Sequence, residues 1–144
     1  MAKNPNFNEK KTVSNLQAEY GKMPPQAIDL EEAVLGALML ERDAYAMVGE
    51  MLKVEVFYKD IHQRIFRAIQ KLCVNDEPVD LLTVSEALKQ SGELEMVGGY
   101  YYLSQLTSRV ASAAHIEFHA RIIIQKYLQR KLIGICTELQ ELAY

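Results

Sequence analysis

The longest regular pattern of apolar residues in this 144-residue chain covers residues 114–142. Apolar side chains recur there at steps of four or three, without an intervening proline: Ile116, Ala120, Ile124, Leu128, Leu132, Ile135, Leu139 and Leu142. This spacing predicts one stripe along a single α-helix, roughly 43 Å long at 1.5 Å per residue. Because compact domains near this size have a radius of gyration of only about 13 Å, the stripe needs a partner in the same chain or another.

Five shorter helical patterns precede the long one, over residues 28–40, 44–52, 59–74, 82–90 and 100–107. Thr83 is the predicted N-cap of the fourth pattern, and the pair Gly98-Gly99 opens the fifth. Gly36 stands inside the first helix at a cost of about 1 kcal/mol relative to alanine, which indicates close approach of another helix. The predicted fold is all-α, with a compact multi-helix head followed by a long helix.

Pro24-Pro25 separates the polar N-terminal residues from the helical patterns, because a residue before proline is pushed out of the α region. We therefore expect a flexible tail over residues 1–23, a globular helical head over residues 24–112, and a third segment over residues 113–144 that contains the long helix.

Composition narrows the classes of function. Lys and Arg total 16 against 19 Asp and Glu, for a net charge of −3, so a stand-alone role in neutralising DNA phosphates is disfavoured. Cys73 and Cys136 each lie in an apolar helical pattern, which predicts two buried, reduced thiols. No apolar run approaches the ~18 residues of a membrane span, and no secretory signal is visible. These observations predict a cytoplasmic protein that does not enter membranes.

Catalytic and ligand-binding patterns are weak in this sequence. The one Gly-Lys pair, Gly21-Lys22, is followed by Met23, so it does not form the phosphate loop of nucleotide-binding proteins. His115 and His119 share a helix face, but no third ligand lies near them in sequence. His62 is interpreted as a core or capping histidine. We predict no catalytic, cofactor-binding or metal-binding residue in this chain.

Consecutive tyrosines at 100–102 admit two interpretations. They could form a base-stacking platform, but three successive residues on a helix point in directions about 100° apart. The favoured interpretation places tyrosine at the edge of a helical core, with the ring inside and the hydroxyl outside.

Several short motifs occur in a recognisable order. They are Pro24-Pro25 with Glu32 and residues 34–40, Phe57-Tyr58 with His62 and residues 65–66, Pro78-Val79-Asp80, residues 92–94, residues 97–100 with Leu103, residues 112–116, and His119-Ala120 with Ile122-Ile123. Over about residues 24–144 this order resembles the N-terminal domain of DnaB-family bacterial replicative DNA helicases. The resemblance implies a globular helical head followed by a helical hairpin, of which residues 113–144 would supply the first helix.

The resemblance also implies a function. In that family the domain forms the collar of a hexameric ring, built as a trimer of dimers, and docks primase. A separate RecA-like ATPase domain, which uses ATP and Mg²⁺, contacts DNA and drives 5'–3' unwinding. We expect that motor domain and the second hairpin helix to be absent from this chain, which would then assemble and bind without catalysing a reaction. The expected partners are further copies of the chain, the primase C-terminal domain and a helicase loader.

Site residues are expected from the apolar spacing of the long helix and from the role that the resemblance implies. The apolar stripe from Ile116 to Leu142 is the expected oligomer interface. The expected primase-binding residues are Asp29 at a helix start, Tyr102 after the glycine pair and Ile133 beside the stripe.

The alternative is a stand-alone helical DNA-binding or regulatory protein, which would need a basic recognition helix. The long helix instead carries nearly balanced charge: Arg121, Lys126, Arg130 and Lys131 against Glu117, Glu138 and Glu141.

Overall fold

A computed structural model describes residues 22–144. Its elements are α1 (Ile28–Leu40), α2 (Ala44–Val48), a 3₁₀ helix (Val54–Val56), α3 (Asp60–Val74), α4 (Leu81–Gln90), α5 (Gly99–Ser108) and α6 (Ile116–Ala143). No strand occurs among these residues, so the all-α prediction is confirmed. The flexible tail expected over residues 1–23 lies outside the described residues, except for its last two positions.

Two compact units divide the chain. One comprises Gln26–Tyr127 and is called the head below. The other includes Leu128–Tyr144, called the distal segment, together with residues 22–25. Helix α6 contributes to both units, and its residues up to Tyr127 belong to the head. The sequence had predicted that the head ends at residue 112.

The head is held by one apolar core, in which α1 packs against α3, α4 and α5. The rings of Phe57 and Phe66 lie at its centre, with centroids 4.9 Å apart and planes inclined at 37°. Ile116, Ala120 and Ile123 from the start of α6 belong to the same core. The apolar residues at the start of α6 are therefore spaced as they are because they are buried in the core of the head.

Close packing of α1 on α5 explains Gly36. A Cβ atom built at Gly36 would collide with the carbonyl oxygen of Leu106 and would lie 2.8 Å from a methyl carbon of Val110. Only a residue without a side chain lets the two helices approach so closely. The prediction that Gly36 marks a close helix–helix approach is confirmed.

The start of α4 differs from the prediction. Asp80 is the N-cap, and its carboxylate accepts a hydrogen bond from the Thr83 N–H at 2.8 Å. The Thr83 hydroxyl in turn accepts from the Asp80 N–H at 2.9 Å, which completes a reciprocal capping box. Thr83 as N-cap was therefore wrong, because the helix begins at Leu81 and places Thr83 at its third position.

The second predicted helix is also shorter than expected. Helix α2 ends at Val48, and turns lead from there to the 3₁₀ helix. The glycine pair opens α5 as predicted, since Gly98 and Gly99 have φ angles of 105° and 71°, values that glycine adopts without steric cost.

The two cysteines lie in different environments. Cys73 on α3 is half-buried, and burial raises the pKa of its thiol. Cys136 is exposed, because it lies on α6 beyond the part that packs in the head. The prediction of two buried thiols is therefore wrong for Cys136. None of the helices within residues 22–144 has the length and hydrophobicity that crossing a membrane requires.

Candidate interaction surfaces and the buried network of the head

Three polar side chains from α1, α3 and α5 meet inside the head. Glu31 and His62 are 1% and 0% exposed, and the Glu31 carboxylate lies 2.8 Å from Nδ1 of His62. On the opposite side of the ring, Nε2 lies 2.7 Å from the Tyr102 hydroxyl. Burial of such groups is tolerated because each of them has a partner.

Chemistry fixes the direction of these hydrogen bonds when the imidazole is neutral. An ionised carboxylate can only accept, so Nδ1–H of His62 donates to Glu31. Nε2 is then the acceptor, and the Tyr102 O–H donates to it. Burial, followed by the nearby Glu32 carboxylate, raises the pKa of Tyr102 to about 12, which keeps the hydroxyl protonated as this arrangement requires.

Glu31 also holds the start of α3. Its other carboxylate oxygen accepts from the Tyr58 N–H at 2.9 Å, and the oxygen bound to His62 is 3.5 Å from the Lys59 N–H. Lys59 is the N-cap of α3 and provides no side-chain cap itself. A carboxylate at this point satisfies free backbone donors and interacts favourably with the helix dipole. Glu31 therefore fixes the entry of α3 relative to α1.

Sequence reasoning found one part of this network. The interpretation of His62 as a core histidine bonded through both ring nitrogens is confirmed. The part of Glu31 in the network was missed. One feature of the sequence could have indicated this role. Glu31 is three residues before Val34 and therefore lies on the apolar face of α1, where a carboxylate is buried and needs a hydrogen-bond partner.

The stripe on α6 has two different environments. Ile116 and Ala120 are buried in the head, and Ile124 packs against its core. Ile116 and Ala120 therefore cannot contribute to an oligomer interface unless the head opens. In the distal segment the remaining stripe residues are 49–84% exposed: Leu128, Leu132, Ile135, Leu139 and Leu142. A row of large exposed apolar side chains on one helix face is typical of a protein–protein contact.

The three residues expected to bind primase occupy different positions. Asp29 is exposed in the first turn of α1. Tyr102 is partly buried, and its hydroxyl is engaged by His62. Ile133 lies in the distal segment and is partly buried. The head brings Asp29 and Tyr102 into one unit, while Ile133 belongs to the other.

The histidine pair and the three consecutive tyrosines do not form a binding site among the described residues. The rings of His115 and His119 have centroids 6.3 Å apart, and no group of three or more potential metal ligands is found within residues 22–144. Tyr100 and Tyr101 are exposed while Tyr102 points inward. The three tyrosines therefore diverge as the helical geometry predicted, and they do not form one stacking platform.

An all-helical head with a buried polar network, followed by a helix with an exposed apolar face, defines an all-α domain with a candidate protein-interaction surface. The family model for the DnaB-like helicase N terminal domain matches residues 23–125. This chain belongs to that family.

Individual relatives agree with this assignment. The chain is 52% identical over 132 residues to the replicative DNA helicase DnaB of Rhodothermus marinus, covering 92% of this chain and 14% of the relative. It is similar to the crystal structure of the N-terminal domain of DnaB helicase from Mycobacterium tuberculosis, with a TM-score of 0.82, 38% identity and 85% coverage of both chains.

A second solved structure is that of a DnaB-like replicative helicase and its interactions with primase. It matches with a TM-score of 0.69 and 28% identity, over 80% of this chain and 26% of that one. The chain thus spans only a small part of the full-length helicases that it matches.

Proposed function

We propose that this chain is the N-terminal collar domain of a hexameric replicative DNA helicase, where it mediates assembly of the ring and docks primase. Membership of the DnaB N-terminal family supports this proposal, as does the identity of the full-length relatives as replicative helicases. In the whole protein, ATP and Mg²⁺ would act in a separate motor domain that unwinds DNA in the 5'–3' direction. A helicase loader is a further proposed partner, and the bacterial cytoplasm is the proposed location.

The observation that carries the assembly role is the exposed stripe of the distal segment. Removing a Leu or Ile side chain from water contributes roughly 1.5 to 3 kcal/mol. Five such residues on each of two helices therefore offset an association cost of about 4 to 15 kcal/mol. The spacing of Leu128, Leu132, Ile135, Leu139 and Leu142 is four, three, four and three, which suits the seam between two paired helices. We infer that this stripe pairs with a second copy of the chain, as the first contact of a trimer of dimers.

The primase-docking role is supported by the solved helicase that interacts with primase and by the chemistry of the three candidate residues. Asp29 offers an exposed charge, and Ile133 offers an aliphatic side chain on α6. Tyr102 presents a partly buried ring whose hydroxyl is fixed by His62. A fixed aromatic ring loses little freedom on binding, which favours it as an anchor residue.

Titration calorimetry with a purified primase C-terminal domain tests this role. Asp29→Lys and Ile133→Asp are each expected to lower the affinity by more than tenfold, or about 1.4 kcal/mol. Tyr102→Ala is expected to weaken binding as well, but it also removes a partner of His62, so its thermal unfolding must be measured in parallel. Glu50→Lys, a charge reversal at an exposed position before the 3₁₀ helix, is the control. Unchanged affinity for both Asp29→Lys and Ile133→Asp would contradict these assignments.

A further inference from the structure

An open groove lies where α1 ends, between α2 and the connection from α3 to α4. Its volume is about 820 Å³, within the usual size range of ligand and peptide pockets. Leu38, Tyr45, Cys73 and Val79 contribute an apolar floor. All of the lining residues belong to the head. We call this feature the α1–α2 groove.

The floor of the α1–α2 groove is apolar but incompletely covered. Leu38 is fully buried, while Tyr45, Cys73 and Val79 are partly buried at the edge of the core. Burial raises the pKa of Tyr45, with a further contribution from Cys73, and the pKa of Cys73 is raised by burial too. Leu40, on the lip of the groove, is 47% exposed. This surface would gain free energy if apolar side chains of a partner covered it.

The rim of the α1–α2 groove is acidic. Asp76, Glu77 and Asp80 line it, with Arg42 as the one cation. The Asp80 carboxylate is engaged by the Thr83 N–H, but neither Asp76 nor Glu77 forms an ion pair or side-chain hydrogen bond with another described residue. Asp76 has a φ of 55°, a left-handed conformation that Asp and Asn tolerate better than other side chains. The tight turn thus places two unengaged carboxylates beside an apolar floor.

We propose that the α1–α2 groove is a docking surface for a basic amphipathic segment of a partner protein. Its apolar side chains would cover the floor, and its Lys or Arg residues would pair with Asp76 and Glu77. Charge complementarity favours a basic partner, because the carboxylates of the rim attract Lys and Arg and repel phosphates and acidic peptides. The groove is distinct from the proposed primase site, since Asp29 lies at the opposite end of α1, roughly 16 Å away along the helix axis. The proposal does not depend on the primase assignment.

The test is a titration of the ¹⁵N-labelled 144-residue chain with a synthetic amphipathic helical peptide of about 15 residues, with leucines on one face and lysines on the other. A matched peptide carries glutamate in place of each lysine. The basic peptide is expected to shift the amide signals of Leu40, Tyr45 and Val79, and to bind more weakly as salt is raised. The acidic peptide is expected to leave these signals unchanged.

Two variants locate the contact. Asp76→Asn with Glu77→Gln removes both charges while keeping a residue that tolerates the left-handed turn, and is expected to weaken binding about fivefold to tenfold. The matched control, Glu50→Gln with Glu95→Gln, removes two exposed charges elsewhere in the head and is expected to bind as the wild type does. Ala46→Trp fills the groove from an exposed position and is expected to abolish the shifts without lowering the unfolding temperature.

Four results would overturn the proposal. The first is the absence of groove shifts at about 1 mM basic peptide. The second is equal binding of the acidic peptide, and the third is an equal loss of affinity in the control variant. The fourth is a change in the sedimentation of Ala46→Trp without peptide, which would make the groove a contact between copies of this chain.

Discussion

The apolar stripe extends along both parts of α6, but its residues have different surroundings in the head and in the distal segment. In the head, Ile116 and Ala120 are almost fully buried within their own chain. In the distal segment, Leu132 and Leu139 are each 60% exposed. Helical periodicity therefore indicates which side chains favour burial. It does not indicate whether the same chain or another chain buries them. Substitutions in the head should therefore change stability, and substitutions in the distal segment should change association.

The largest effect on stability is expected from Glu31→Ala in the head. This change leaves His62 and the backbone N–H groups at the start of α3 without their acceptor. Each buried donor left without a partner costs about 1 to 3 kcal/mol, so the combined loss is a large share of the ~5 to 15 kcal/mol that stabilises a domain. Urea denaturation followed by circular dichroism measures the loss.

Glu32→Ala is the matched control for this prediction. Glu32 neighbours Glu31 on α1, but its ion pair with Arg109 involves a guanidinium that is 60% exposed, and such pairs contribute about 0 to 1 kcal/mol. Equal losses of unfolding free energy for Glu31→Ala and Glu32→Ala would show that the buried network does not stabilise the head more than a surface ion pair.

Glycine substitutions should act with opposite sign in the two regions. Gly36→Ala pushes α1 away from the Leu106 carbonyl, and overpacking of this kind costs about 1 to 3 kcal/mol. Gly134→Ala meets no atom within 4 Å, so it should stabilise α6 by up to about 1 kcal/mol through helix propensity. Thermal unfolding monitored at 222 nm distinguishes the two. A Gly36→Ala chain as stable as the wild type would refute the close approach of α1 and α5.

The smallest effect concerns the pH dependence of Tyr102→Phe. Loss of the hydroxyl donor to His62 should cost about 0.5 to 1.5 kcal/mol near pH 8. The pKa of Tyr102 rises from 10.0 to about 12 in the folded head. Because the folded pKa is raised, this stabilisation is complete below pH 10 and is lost as pH rises towards 12. The difference in unfolding free energy between wild type and Tyr102→Phe should therefore shrink from pH 9 to pH 11, and parallel pH curves would contradict the assignment.

Local patterns predicted much of the fold. The bounds of α1 follow from apolar spacing after Pro24-Pro25, and Gly36 was explicable because glycine is costly inside a helix without a packing reason. The Glu31–His62–Tyr102 network was beyond such reasoning. Its members are 31 and 40 residues apart in sequence, and only the tertiary arrangement of α1, α3 and α5 brings them together.

The division of the stripe on α6 was also hidden from the sequence. Ile116 and Leu132 were assigned to one stripe, whereas Ile116 is a core residue of the head and Leu132 is exposed in the distal segment. The same limitation explains Cys136, which has an apolar sequence context but no surrounding core.

Sedimentation equilibrium of the wild-type chain and of Leu132→Glu with Leu139→Glu tests the central claim, that the distal segment is the self-association surface. The wild type should sediment as a dimer or larger species at micromolar concentration, and the double variant as a monomer whose head unfolds as the wild type does. Leu82→Glu with Met96→Glu adds the same charge at exposed apolar positions of the head and should leave the assembly intact. A monomeric wild type at high micromolar concentration, or a dimer that survives both distal substitutions, would contradict the claim.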